Sequence, residues 1–373
     1  MVAGGLVHGR ERPAIGFAQM DRKPPRRLRR TLILAGLAAL FALGAGHTLL
    51  WRAMASELEA GWRDWVALRR AAGWRVEHAA PVRGGWPLAA TLTLDRVRLE
   101  GAATTLPGGM ALASDRVLLR VTLPRLDRLV VELPGQQRLR LGRTELPFTA
   151  DALQAVLPLE RGTPPSSLEA TAERLRIGTP VGGLELRSAR LSLSGSASAT
   201  EEEPALAVSF GAEGVELPAA PAGAAAAAFG RRVESVAAEL ALSGPVPPGR
   251  VPVQRAEAWR DGGGTAELRS FALRWGPVGA NVAATLTLDE ALQPMGAGTL
   301  RLTGATAALD ALAEAGAINR RAASTARTVL PLLSRPSAED GAPELEVPLT
   351  LEDRTLALVR IPVTRLAPIE WPR

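Results

Sequence analysis

Twelve short runs of this chain alternate aliphatic and polar residues with a period of two, and that pattern dictates a pleated sheet with one apolar face. They include Ala90-Thr-Leu-Thr-Leu-Asp95, Arg116-Val-Leu-Leu-Arg-Val-Thr-Leu123, Arg190-Leu-Ser-Leu-Ser194, Ala205-Leu-Ala-Val-Ser-Phe210, Ala284-Thr-Leu-Thr-Leu-Asp289, Gly298-Thr-Leu-Arg-Leu-Thr303 and Glu346-Val-Pro-Leu-Thr-Leu351. Successive side chains of a strand point to opposite faces, so each run sets Leu, Val or Ala on one side and Thr, Ser, Arg or Glu on the other. Such alternation marks antiparallel strands with one face sheltered and one in water. The 37 Gly and 29 Pro among 373 residues supply the turns that many short strands need.

A second feature stands apart from this texture. Leu32 to Trp51 is a 20-residue run without a charged side chain. As a helix it extends about 30 Å, the thickness of a bilayer's hydrocarbon core. Eight basic residues precede it, six of them within Arg22–Arg30, whereas Arg52, Arg63, Arg69 and Arg70 beyond it are mixed with Glu57, Glu59 and Asp64. The positive-inside rule sets the N-terminus in the cytoplasm and everything after about residue 52 across the membrane, the periplasm in a two-membrane bacterium. A cleaved signal peptide with a small-residue site around Ala42–Gly46 is the rival reading. The run is longer than a signal's apolar region and continues to Trp51, which favours a retained anchor. Met20 offers a start alternative to Met1 with the same topology.

The charge balance removes nucleic acid as a partner. The net charge of +6 resides wholly in residues 1–30, and the rest of the chain is neutral. A nucleic-acid-binding body would carry the basic excess itself. With no cysteine there are no disulfides, thiol nucleophiles or thiolate metal sites.

The expected organisation is a basic tail over 1–30, an anchor over 31–51, a membrane-proximal helix over 52–73 and a β-rich body over 74–373, with a soft boundary near 245–250 at Pro245-Val-Pro-Pro-Gly249. Met54, Leu58, Trp62, Trp65 and Leu68 recur at helical spacing over Arg52–Ala72. Helices are also expected at Ala150–Leu157, Ala224–Val236 and Pro252–Arg260, and over Ala305–Ser334 with a break at Gly316. Glu201–Pro204 and Pro218–Ala228 read as the least structured stretch. Ala-Thr-Leu-Thr-Leu-Asp occurs at both 90–95 and 284–289, a sign of strand bias or of a duplicated sheet unit.

Chemical equipment is sparse. Of three histidines, His8 lies in the tail and His47 in the apolar run, leaving His78 alone in the body. A histidine-cluster metal site is excluded there, and a Ser–His–Asp arrangement would depend on His78. No GxSxG, HExxH, Walker or dinucleotide motif is present. Gly262-Gly-Gly-Thr265 precedes a strand rather than opening a helix, so it reads as a turn and not a phosphate cradle. Acidic residues are scattered, with nothing to group them into a catalytic pair. The chain is expected to be no enzyme and to bind no metal or cofactor.

Gly73-Trp-Arg-Val-Glu-His78, Val82-Arg-Gly-Gly-Trp-Pro-Leu88 and Thr91-Leu-Thr-Leu94 resemble the bacterial envelope family of domain of unknown function (DUF) 2125. The resemblance continues through Trp259-Arg-Asp-Gly-Gly-Gly-Thr265, Leu273-Arg-Trp-Gly-Pro277, Leu286–Asp289, Leu300–Gly304 and the terminal Ile361-Pro-Val and Trp371-Pro372. It implies an inner-membrane anchor and a β-rich periplasmic body, and it carries over no site residue. The ending from Leu349 onward is also similar in texture to AsmA-like proteins, which implies long sheets with apolar grooves and lipid handling.

These readings converge on a mainly β fold: a transmembrane helix, then a curved antiparallel sheet, an open half-tube, with a few packing helices. The leading functional expectation is a non-enzymatic envelope protein whose aliphatic face takes lipid, lined by Leu92, Leu94, Leu286, Leu288, Leu300, Leu302, Leu349 and Leu351. Burying acyl chains needs area rather than special side chains. Against it stands an ordinary core in which helices of Ala305–Ser334 cover the same leucines. The runner-up function is a tethered scaffold that docks other envelope proteins. A glycan-handling domain would instead show paired carboxylates or tryptophans stacked in one cleft.

Overall fold

The computed structural model describes residues 26–101, 109–159, 166–196, 204–219, 223–244, 251–319, 323–324, 327–328, 330, 334–336 and 343–371. The chain divides into two units, Met1–Leu50 and Trp51–Arg373. The expected boundary at 245–250, much of the second helix beyond Gly316 and the tail before residue 26 lie outside the described residues.

The apolar run and the amphipathic stretch after it form a single helix, α1 (Arg26–Ala71), 46 residues long. In the first unit its apolar side chains have no protein around them: Leu34 is 66% and Phe41 79% exposed. Length and composition make this helix a candidate membrane span.

In the second unit, nineteen strands among the described residues make one sheet, antiparallel at every pairing described. Two short strands, β1 (Arg75–Glu77) and β2 (Val82–Gly84), flank one side of β3 (Ala89–Gly101). Next to β3 lies β4 (Met110–Thr122). Two further short pairs continue the ribbon end to end: β5 (Arg125–Glu132) with β8 (Ala152–Pro158), and β6 (Gln136–Leu141) with β7 (Thr144–Thr149). Both pairs lead into β9 (Ser167–Thr179). A meander follows through β10 (Gly182–Gly195), β11 (Leu206–Glu216), β12 (Arg232–Ser243), β13 (Thr265–Trp275), β14 (Val278–Leu288) and β15 (Pro294–Thr303). The sheet ends with β17 (Pro343–Glu352), the short β16 (Ser334–Pro336) and β18 (Thr355–Leu358) on its far side, and β19 (Ile361–Arg365). Among the described residues no register pairs β19 with β1 or β2.

Among the described residues the sheet is punctuated by the small helices α2 (Ala224–Phe229), α3 (Pro252–Asp261) and α4 (Ala305–Glu314). Two expected helices are corrected. Ala150–Leu157 is strand β8, because Leu153, Ala155 and Leu157 alternate with Gln154 and Val156 between two partner strands. Ala224–Val236 is helical only to Phe229; Gly230 ends the helix and β12 begins at Arg232. In both places strand pairing outweighs the helix propensity of an Ala-rich run.

Three strands hold one residue in the left-handed region: Arg96 (φ 54°), Arg174 (φ 46°) and Gly214 (φ 58°). At each, the next apolar residue comes three positions on instead of two: Leu94 to Val97, Ala172 to Leu175, Ala212 to Val215. The kink keeps aliphatic residues on one side of the sheet where strict alternation would turn them outward. At Gly214 the left-handed conformation is one that glycine adopts without the steric cost of a Cβ.

Candidate functional site

Directly opposed residues of an antiparallel pair share a face, so register can be followed across the ribbon. Leu92 opposes Leu119, which opposes Val131, then Ala155, Ala170 and Leu191. The same row continues through Phe210, Ala238, Phe271, Val282 and Leu300 to Val347. It crosses from β3 to β17 without a polar side chain. A neighbouring row carries Leu193, Val208, Leu240, Leu268, Ala284, Gly298 and Leu349.

All eight leucines singled out in the sequence stand on this face. Leu94 and Leu302 lie two residues along from Leu92 and Leu300. Gly296 opposes both Leu286 and Leu351, and Leu288 opposes Pro294. Six of them, on β14, β15 and β17, form one contiguous patch; Leu92 and Leu94 are far along the ribbon. Both copies of the repeated hexapeptide thus present their leucines to the same side. The face also holds residues that were not singled out: Val208, Phe210, Leu240, Val282 and Val347. Their alternation within runs already read as strands was the signal for them.

Burial differs sharply along the face. Leu92 and Leu94 have 0% exposure and form a core with Val97 and Leu119, covered by Leu58 and Trp62 of α1. For Leu92 and Leu94 the covering element is α1. A second core of Leu186, Ala212, Val215 and Val233 packs with Leu273 and Trp275. That second core lies on β10–β13, toward the Leu186 end of those strands; beside it the two rows are only half-buried from β10 through β17, and Phe210 is 37% exposed. The middle of the face is too sheltered for a water-facing surface and too open for a finished core.

The opposite face is polar and carries ion pairs. Arg116 Nε lies 2.7 Å from Asp95, Arg140 2.8 Å from Glu100, and Arg120 3.0 Å from Glu132. Hydrogen bonding to Asp95, and then its charge, raise the Arg116 pKa further above its ordinary value, so this guanidinium stays ionised. Exposed pairs like these add little to stability and serve mainly to keep this face in water.

His78 is held through both nitrogens of its ring. The Trp62 Nε1 donates to His78 Nε2 at 3.3 Å, which leaves the proton of the neutral ring on Nδ1, 2.7 Å from the Ala79 carbonyl. Both ring nitrogens are thereby occupied. Among the described residues no group of three or more His, Asp or Glu could hold a metal. The tryptophans of the later sheet do not share a cleft: the Trp259 Nε1 donates to the Ser243 carbonyl near the start of β13, whereas Trp275, at its end, donates to the Gly230 carbonyl and packs edge-on against Phe229. Gly264 makes room for the Trp259 indole, against which a Cβ would collide, so the glycine turn has a packing role. A shallow pocket of about 310 Å³ over β6, β7, β9 and β10 is lined by Phe148, Ile177 and Leu184 beside the fully buried Gln137. The Gln137 Nε2 donates to the Leu133 and Pro134 carbonyls, and its buried Oε1 has no partner among the described residues.

No curated protein and no solved structure matches the chain, so the likeness to AsmA-like proteins gains no support. One family description does match, over residues 51–367, nearly the whole second unit from Trp51 onward. With its β-rich body and its N-terminal apolar helix, the chain belongs to the family described as uncharacterized protein conserved in bacteria (DUF2125).

Proposed function

We propose that this chain is a bacterial inner-membrane protein, anchored by α1, whose periplasmic sheet shelters lipid acyl chains on its aliphatic face without catalysing a reaction. The observation that carries the reading is the in-register aliphatic face, half-buried along its two central rows from β10 to β17 beside the two closed cores. Each methylene buried there contributes about 0.8 kcal/mol, so ten supply about 8 kcal/mol before ordering costs. The charge asymmetry around the apolar run supports a cytoplasmic N-terminus and an exported body.

The test is purification of the full chain in mild detergent followed by mass spectrometry of bound lipid. Stoichiometric lipid is expected, lost on Phe210→Asp or Leu300→Asp with the circular-dichroism spectrum unchanged. Lipid-free protein that also binds no lipid probe refutes the reading.

A tethered interaction scaffold is the second reading, favoured by strand β19. It is exposed throughout, pairs among the described residues only with β18, and carries the exposed Ile361 and Val363. A stoichiometric protein partner without lipid would favour it.

A further inference from the structure

Trp51 ends the apolar run, and its indole is tied to the sheet. The Trp51 Nε1 donates to the carbonyl of Ala89, the first residue of β3, at 2.9 Å. The Ala89 N–H donates to the Gly85 carbonyl at 3.0 Å, and the Leu123 N–H to the Leu88 carbonyl at 3.1 Å. These three bonds gather the β2–β3 and β4–β5 turns around the residue at which the apolar run stops. Trp86 is 59% and Leu88 69% exposed between β2 and β3, and Leu126, the second residue of β5, is 44% exposed, all large apolar side chains. Arg125 stands beside them, exposed, and Arg83, also exposed, pairs with Glu59 of α1 at 2.6 Å.

Tryptophan and leucine flanked by arginine is the composition of a membrane-interface contact: the apolar groups enter the headgroup–acyl boundary and the guanidinium groups meet anionic headgroups. We infer that the β2–β3 and β4–β5 turns dock on the lipid surface beside the anchor, giving the body a second membrane contact. This rests on the reading of α1 as a membrane span. The occupant is the bilayer itself, because the patch is continuous with the last residue of that span. Docking would hold β3, and with it one end of the aliphatic face, at the membrane surface, where lipid would enter or leave.

The absence of native cysteine permits single-cysteine labelling of the full chain. Leu88→Cys and Leu126→Cys report the turns, Val181→Cys a 56%-exposed turn at the other strand end, and Leu40→Cys the span. Each variant carries an environment-sensitive fluorophore and is reconstituted in phosphatidylethanolamine–phosphatidylglycerol vesicles. Quenching is read with lipids spin-labelled near the headgroup or deep in the chain, and with aqueous iodide. Deep quenching at Leu40, with shallow quenching at Leu88 and Leu126 at least threefold above that at Val181, is the expected result. If Leu40 is quenched but the turns behave like Val181, docking is overturned and the anchor stands. Turns shielded from both lipid and iodide indicate a protein contact and also overturn docking. If Leu40 itself escapes lipid quenching, the anchor reading fails and docking fails with it.

Discussion

Truncating one leucine at a closed end of the aliphatic face, and one in its half-open middle, separates core from ligand surface. Leu92 is fully buried between β3 and α1, so Leu92→Ala loses the transfer free energy of three carbons, about 2.4 kcal/mol at ~0.8 kcal/mol each. A residual cavity adds to this, because Leu58, Trp62 and Leu119 can close only partly; a total near 3–4 kcal/mol is expected. That total is at least a hundredfold loss in the folding equilibrium, since 1.4 kcal/mol is about tenfold. Leu300 has the same chemistry in the middle row but is half-buried, so Leu300→Ala should cost about 1–1.5 kcal/mol. The assay is urea unfolding of the full chain in a mild detergent, followed by far-ultraviolet circular dichroism, with the midpoint and slope of each variant compared with wild type. Equal losses would refute the reasoning, because the middle of the face would then be as closed as its Leu92 end.

Two further substitutions probe named contacts. Gly264→Ala should cost about 1–3 kcal/mol, visible in the same unfolding assay, because the new methyl displaces the Trp259 indole and strains its bond to the Ser243 carbonyl. Gln137→Leu should leave stability within about 1 kcal/mol of wild type: removing the unpartnered Oε1 offsets the loss of two long hydrogen bonds, each 3.3 Å.

Period-two alternation made most of the sheet legible, since parity alone sorts each strand's side chains between two faces. The face shared by Leu92 and Leu349 follows from that parity once register is known, and register is a long-range property that no single run contains. Strands β6 and β7 escaped notice because Gln136–Leu141 is rich in polar residues and Thr144–Thr149 contains Pro147; they stand as short strands end to end with β5 and β8. The Ala-rich starts at 150 and 224 favoured helix locally, and pairing with β5, β9, β11 and β13 decided otherwise. The sequence was equally silent on which leucines are closed. Leu92 and Leu288 sit in matching hexapeptides, yet α1 covers only the first. The kinks at Arg96 and Arg174 had no signal either, because arginine has no preference for the left-handed region.

Phe210 and Ser209 are adjacent on β11, both exposed, and point to opposite faces of the sheet. A photocrosslinking amino acid placed at either position in the full chain, irradiated in living cells and read by mass spectrometry, compares the two faces directly. The account predicts lipid adducts at position 210 and none at 209. Lipid adducts at neither position, equal adducts at both, or only protein adducts at 210 would contradict it.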